Sequence, residues 1–468
     1  MNNRNLLEQL RSGEKLSFRQ QLFLTVQLSI PAIMAQISSI VMQYIDASMV
    51  GRLGADDSAA IGLVSSSTWL FGGLCSAASI GFTVQVAQRI GAGEEKRARN
   101  IVKQGLFTVL IFSCVLMAAG VSLSGVLPVW LGGGKDICAN ASRYFLVYAL
   151  FLPVLQLNHT ASGIVQCSGN MKLPSILHIV MCFLDIVFNL FFIFPSRKVT
   201  VFGTAFTMPG AGLGVFGAAL GTACAELVTV CLMLYYLLFV SQMLHIRKEE
   251  KFSFVPAELK QAVKIALPVG FEQTVMCSAQ IMSTKIVAPL GTTAIAANSF
   301  SITAESLCYM PGYGIAAAAT TVVGQSTGAG RKDLTRRLGW LTTGLGMLVM
   351  TGSGMLLFIF APHMIGLLSP DEGIRRLGAQ VLRIEAFAEP MYAASIVASG
   401  VFRGAGDTLV PSCMNLFSMW CVRIPLAAVL APHFGLHGVW AAMCIELCVR
   451  GVLFLFRLAG KKWQKKTI

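Results

Sequence analysis

Long apolar runs alternate with short polar connections along this chain, and the runs set the number of elements. Twelve stand out: near 22–50, 59–88, 101–127, 143–167, 173–194 and 213–243 in the first half, and near 262–289, 294–327, 338–361, 378–402, 410–430 and 435–457 in the second. Predominantly apolar runs of roughly 18 or more residues read as membrane-spanning helices. Several here are longer, so tilt or extension past the bilayer is expected.

The pattern is also said twice. Pro31, Gly54, the Gln88–Gly93 segment (QRIGAG), Pro153, Gly169 and Pro174-Ser175 return as Pro268, Gly291, Gln325–Gly330 (QSTGAG), Pro390, Gly406 and Pro411-Ser412, always 237 positions on. With six spans per copy, both copies enter the bilayer the same way up. Their symmetry axis then lies along the membrane normal, the parallel-repeat plan of some secondary transporters. The expected fold is an all-α polytopic membrane protein, twelve transmembrane helices in two six-helix lobes related by a pseudo-twofold axis. Residues 1–243 make the first lobe, 244–261 a polar linker, and 262–468 the second lobe with a basic tail. The copies differ most at 197–211, an outer loop present only in the first. The GxGxxG string at 212–217 precedes a membrane helix with no strand predicted ahead of it, which argues against a dinucleotide site.

Composition agrees. Of 468 residues, 55% are apolar and only 12% charged, about half the charged share of an ordinary globular domain, and the mean hydropathy is +0.69. The net charge of +14 does not point to nucleic acid, because the basic residues sit in short loops: 25 on the connections that share a side with the termini, among them Arg247, Lys248, Lys251 and Lys466, and six on the opposite side. That bias predicts that both termini are cytoplasmic. The polar first 19 residues lack the apolar core of a cleaved signal peptide. The 13 cysteines lie mostly inside apolar runs with no CxxC pair, so they read as core side chains, not as a disulfide frame or metal site.

Charges inside spans are the informative residues, since an ionised carboxylate at mid-bilayer costs about 2.5–3.5 kcal/mol even on the gentler insertion scales. In the first lobe Asp46 lies near the outer end of the first span, Asp185 and Asn189 share a face of the fifth at i, i+4, and Thr222 sits on the sixth. Carboxylate, amide and hydroxyl oxygens at one level suit a hard cation and equally a proton; Thr222 can instead back-bond to its own helix. The second lobe offers Glu272 and Gln273 on the seventh span, and Glu385 and Glu389 at i, i+4 on the tenth. Glu226, Lys285, Arg383 and Arg423 read as members of structural pairs. Tyr309, Met310, Tyr313, Met391 and Tyr392 supply aromatic and thioether surface able to accept organic cations, with packed core as the plainer reading. Pro31 is a hinge candidate, with an ordinary kink as its counterpart reading.

Taken together, Pro31 with Asp46, the Val50–Gly54 turn, the GAG-plus-basic segments at 91–99 and 328–337, the Val401–Thr408 string and Arg423-Ile424-Pro425 resemble the multidrug and toxic compound extrusion (MATE) transporters over roughly residues 20–458. The resemblance implies two lobes around a central cleft, with export of small organic, often cationic compounds in exchange for Na⁺ or H⁺. It further implies that Asp46 carries the coupling cation, that second-lobe carboxylates such as Glu272 or Glu389 couple protons in some subfamilies, and that the first span bends at Pro31. Family members usually place Asn first and Asp four residues later on the fifth span; here the order is exchanged. The expected protein is a monomeric, multi-pass exporter of the bacterial inner membrane, in contact with lipid and without a cofactor beyond the coupling ion. A flippase for lipids or lipid-linked oligosaccharides is the nearer alternative, a channel or membrane enzyme the more distant one.

Overall fold

The computed structural model describes residues 3–201, 204–245, 250 and 252–465; Arg247, Lys248, Lys251 and Lys466, counted above for orientation, and part of the linker lie outside the described residues. Among the described residues twelve helical passes follow a short N-terminal helix, Asn3–Ser12. The first lobe holds Phe18–Gly51, Ala55–Gly91, Glu95–Leu123, the pair Lys135–Leu150 and Leu152–Cys167, Lys172–Phe192, and Gly214–Tyr235. The second holds Pro256–Val287, Thr292–Gly328, Lys332–Leu368, the pair Glu372–Glu385 and Glu389–Gly404, the run Leu409–Phe434 with a π-helical turn at Ser418–Arg423, and Leu436–Ala459. Among the described residues eight passes are each long and apolar enough to cross a membrane, and the fourth qualifies as a pair bent by 47°. The seventh, eighth and tenth passes fall outside that set, and they carry Glu272, Glu305, Glu385 and Glu389.

Local chemistry explains the punctuation. Ser17 caps the first span in a capping box with Gln20, its hydroxyl accepting from the Gln20 amide at 3.3 Å while the Gln20 side chain accepts from the Ser17 amide at 2.8 Å. The fourth and tenth spans both break just ahead of a proline, Pro153 and Pro390, which bring no N–H to the preceding turn. The turns between spans fall on paired positive-φ glycines, Gly54 with Gly291 and Gly93 with Gly330 (φ of 146° and 100°, 75° and 70°). The repeat in the sequence is thus a repeat in backbone conformation.

One segment departs from the helical plan. The extra outer loop folds as a two-stranded antiparallel hairpin, Pro195–Val201 against Thr204–Ala211. A strand therefore does precede the GxGxxG string, contrary to the expectation above, but it belongs to an isolated hairpin, not to a βαβ unit. Gly217 of that string faces the Phe192 carbonyl, where a Cβ would overlap it; its role is close helix contact.

The lobes meet at the end that carries the termini. Nearly every residue from Ser79 to Gly91 of the second span and from Gly314 to Thr327 of the eighth is buried, whereas their opposite halves are largely exposed or half-buried. The bundle is shut at the terminal end and parts toward the other. Leu6, Leu7 and Leu10 of the N-terminal helix are buried beneath this junction, in a core cluster with Ile315, Val322, Phe402 and Trp463 of the second lobe.

Candidate functional site

In the first lobe the first, fifth and sixth spans bring the four expected residues together. Asn189 is the hub: its Nδ2 donates to Asp46 Oδ1 at 2.9 Å and to Asp185 Oδ2 at 3.1 Å. Asp185 and Asn189 are 0% and 1% exposed, and Asp46 is half-buried toward the open end. The two carboxyl groups are thus held by the two hydrogens of one amide. Thr222 donates to its own helix at Ala218 O, 3.3 Å away. Gly221 makes room for this arrangement, since a Cβ there would overlap Asn189 Oδ1. Asp185 Oδ1 and Asn189 Oδ1 are buried without a hydrogen-bond partner. The exchanged Asp/Asn order is thereby accommodated: one amide spans two carboxylates and two acceptor oxygens stay unused.

Two cavities that share Glu226 lie in this lobe, the smaller reaching the group through Thr222. A small one of about 70 Å³ is lined by Tyr144, Tyr148, Thr222 and Glu226. A larger one of about 380 Å³ runs toward the terminal end between Gln36, Ser39, Asn158, His159, His178 and Glu226, within the roughly 300–1,000 Å³ of small-molecule pockets. Glu226 lies on both walls, so it is a cavity residue and not the structural pair partner expected from the sequence. Ser39 Oγ and His178 Nε2 are hydrogen-bonded at 2.5 Å. Sequence reasoning passed over His159 and His178, although the rule that singled out the acids, a titratable group inside an apolar run, selects them as well.

The second lobe is arranged differently. Glu272 is tied to the eleventh span, accepting from Ser412 Oγ at 2.5 Å and Asn415 Nδ2 at 2.6 Å. Gln273, one residue on and about 100° around the helix, presses instead on Gly73 of the first lobe. Glu385 and Glu389 do not share one continuous helical face as expected, because the tenth span breaks at residues 386–388 and they flank the break. Both are fully buried, and none of their four carboxylate oxygens has a hydrogen-bond partner among the described residues. Glu305 and Arg423 lie within electrostatic reach of Glu385, and a buried Glu446–Arg450 ion pair at 2.6 Å closes the cluster. Glu305, Glu446 and Arg450 were not singled out in the sequence.

The other candidates divide. Tyr309 packs edge-on against Tyr313 and Tyr392, with ring centroids 6.0 and 5.6 Å apart, and Tyr309 and Tyr392 belong to an intralobe apolar cluster. Met391 packs over Gly451 of the twelfth span, Met310 is half-buried, and Tyr313 is the exposed member at 41%. The five therefore form packed wall more than open surface. Arg383 donates to the Phe358 carbonyl at 3.2 Å and lies over its ring, Arg423 points at Met443 Sδ, and Lys285 is exposed. Among the described residues none of these three has an ion-pair partner, contrary to expectation. Pro31 lies within an uninterrupted helix; beside it, Gly314 of the eighth span approaches so closely that a Cβ would lie 2.7 Å from the Ile33 nitrogen.

The family profile described as MatE matches residues 31–191 and again 268–429, opening on Pro31 and on Pro268, its partner in the repeat. The chain belongs to the MatE family. Among curated MatE relatives, the "Probable multidrug resistance protein NorM" of Thermotoga maritima is 27% identical over 455 residues, 95% of this chain and 93% of its own length. That of Mannheimia succiniciproducens is 25% identical, covering 94% of each chain. A solved structure described as the outward-facing conformation of a multidrug resistance MATE family transporter superposes with a TM-score of 0.87 at 20% identity, covering 98% of this chain and 99% of that one. A MOP superfamily transporter from Pyrococcus furiosus gives 0.87 at 20% identity, over 98% of both chains. The two-lobed, twelve-helix architecture is therefore that of a MATE transporter, and the chain is a multi-pass membrane transporter, not an enzyme.

Proposed function

We propose that this protein is an antiporter of the bacterial inner membrane, with both termini in the cytoplasm, that exports small organic cations in exchange for Na⁺ or H⁺ taken up at Asp46, Asp185 and Asn189. One observation carries the reading: two carboxyl groups bridged by a single amide, with buried oxygens left unused. Two ionised carboxylates cannot sit that close in a low-dielectric bundle without a positive charge between them. A shared proton supplies one, and Na⁺, which takes several oxygen ligands at once, supplies the other, so the two ions compete for the same oxygens. The half-buried Asp46 at the open end gives the ion its way in.

The cavity beside Glu226 is the substrate's place in this scheme. Its volume fits a small organic compound, and the Glu226 carboxylate on its wall attracts a cationic one. The cation enters from outside, resets the carrier, and draws about 2.3 kcal/mol per charge from each 100 mV of membrane potential. The interior presents carboxylates where a flippase for pyrophosphate-linked lipids needs bases. Ethidium efflux from reconstituted vesicles, with Na⁺ and pH gradients imposed one at a time, tests the reading. Efflux driven by either gradient is the expected result, and efflux indifferent to both overturns it.

A further inference from the structure

The Gln-x-x-Gly-x-Gly segments that end the second and eighth spans have no part in the coupling site, yet they form a symmetric contact between the lobes. Gln88 Nε2, in the first lobe, donates to the Gly404 carbonyl at 2.9 Å in the second. Gln325 Nε2, in the second lobe, donates to the Cys167 carbonyl at 2.7 Å in the first. Both donors and both acceptors are related by the same 237-residue offset. Each lobe thus reaches across to the last turn of the other's proline-broken span. The glycines complete the exchange: a Cβ on Gly91 would overlap the Gln325 carbonyl oxygen and one on Gly328 the Gln88 carbonyl oxygen. Gln88 and Gln325 are 2% and 0% exposed, so neither bond is shared with bulk water.

A third element acts on one half. Arg11 of the N-terminal helix holds Gln325 Oε1 from Nε at 3.2 Å and from Nη2 at 3.1 Å, and Nη2 also reaches the Ser168 carbonyl at 3.3 Å. The helix is seated by Leu7, which lies against Gly169 of the first lobe, and by an Arg331 bond to the Leu10 carbonyl at 3.1 Å from the second. It therefore touches both lobes at their line of closure.

We propose that Gln88 and Gln325 are a twofold clasp that holds the cytoplasmic gate shut, and that Arg11 bolts the Gln325 half. The clasp must open whenever the carrier faces the cytoplasm, so these residues set the balance between its two faces without touching the ion. The proposal rests on the antiport reading above only for the name of the side.

Cys167 reports on the gate in the native chain. It is 4% exposed and its thiol lies against Thr321 of the opposite lobe, so alkylation by N-ethylmaleimide, followed by peptide mass spectrometry on the purified full-length protein, reads opening. Gln88→Met keeps the side-chain volume and removes the donor on the half of the clasp remote from Cys167. It should raise the Cys167 alkylation rate roughly three- to tenfold, the range set by one buried hydrogen bond, with Cys75 and Cys308, buried inside single lobes, unchanged. Gln325→Met should do the same, Arg11→Met should raise the rate in the native background, and adding Arg11→Met to Gln325→Met should raise it no further. A native Cys167 rate in Gln88→Met overturns the clasp, and full additivity of Arg11→Met with Gln325→Met overturns the bolt. If Gln88→Met labels all cysteines and so has not folded, Gln325→Met decides the clasp and Arg11→Met, at a half-buried position, decides the bolt: an unchanged Cys167 rate in either rejects that part of the proposal. No substrate or gradient is present, so absent ethidium transport with the expected alkylation pattern would count against the antiport reading and leave the gate standing.

Discussion

Asp46→Asn separates ion coupling from folding. The substitution keeps the shape of the side chain and removes one charge. Asn189 still bonds Asp185 at 3.1 Å, its second bond still finds an acceptor in the new amide oxygen, and the new amide NH₂ can donate to Asp185 where a shared proton or metal ion had been needed. Stability should therefore hold or rise slightly, because a pair of facing carboxylates becomes a carboxylate and its donor. Ion binding should not hold. A charge-assisted contact contributes about 1.5–3 kcal/mol, which converts to a roughly 10- to 150-fold weaker grip on Na⁺ or H⁺. Efflux of ethidium driven by an imposed gradient, measured in vesicles beside a thermal unfolding scan, should fall to near background with the melting midpoint preserved. Undiminished gradient-driven efflux in a folded variant would remove Asp46 from the coupling mechanism, and with it the argument from facing carboxylates.

Two further substitutions test the surroundings. Gly221→Ala adds no charge but places a methyl group where Asn189 Oδ1 sits; displacing that amide should cut coupled efflux at least tenfold, on the scale of one lost charge-assisted bond, and native efflux would mean that the amide's position is immaterial. Glu385→Gln with Glu389→Gln removes two buried carboxyl groups that have no hydrogen-bond partner; since unpaired buried charge is costly, the double variant should melt at a higher temperature, by the equivalent of about 1–3 kcal/mol, and keep at least half its gradient-driven efflux. Loss of that efflux in a folded double variant would move the coupling site to the second lobe.

The twelve spans and the two lobes were legible because apolar runs and a constant offset survive without any knowledge of contacts. The outer hairpin was legible too, in principle: Val199-Thr200-Val201 and Phe206-Thr207, β-branched and aromatic on either side of a glycine, are strand signals that a reading tuned to helices passes over. The charged site residues could be nominated one at a time, by the cost of burying them, but not paired. Nothing in the spacing tells that Glu272 meets Ser412 and Asn415 while Asp46 meets Asn189, because those meetings depend on which spans are neighbours. The break between Glu385 and Glu389 was hidden for a related reason: Pro390 announces that the helix is disturbed, but not on which residues the disturbance falls.

What the repeat keeps and what it drops divide along functional lines. The positions identical in the two copies include turn glycines, span-breaking prolines and the Gln and Gly of the junction, which fix how two equivalent bodies turn and meet. The acids and the amide of the two candidate sites are unmatched: Asp46, Asp185 and Asn189 correspond to Ser283, Val422 and Leu426, and Glu272, Glu305, Glu385 and Glu389 to Ala35, Thr68, Tyr148 and Leu152. A symmetric closure needs equal partners on both sides of its axis, and the paired bonds at Gly404 and Cys167 are equal. An ion site needs no such partner, since one charge driven down one gradient suffices to bias both bodies at once. The same duplication therefore keeps the shape twofold and leaves the chemistry single, which is why Arg11, present in one copy alone, can act on a symmetric gate from one side.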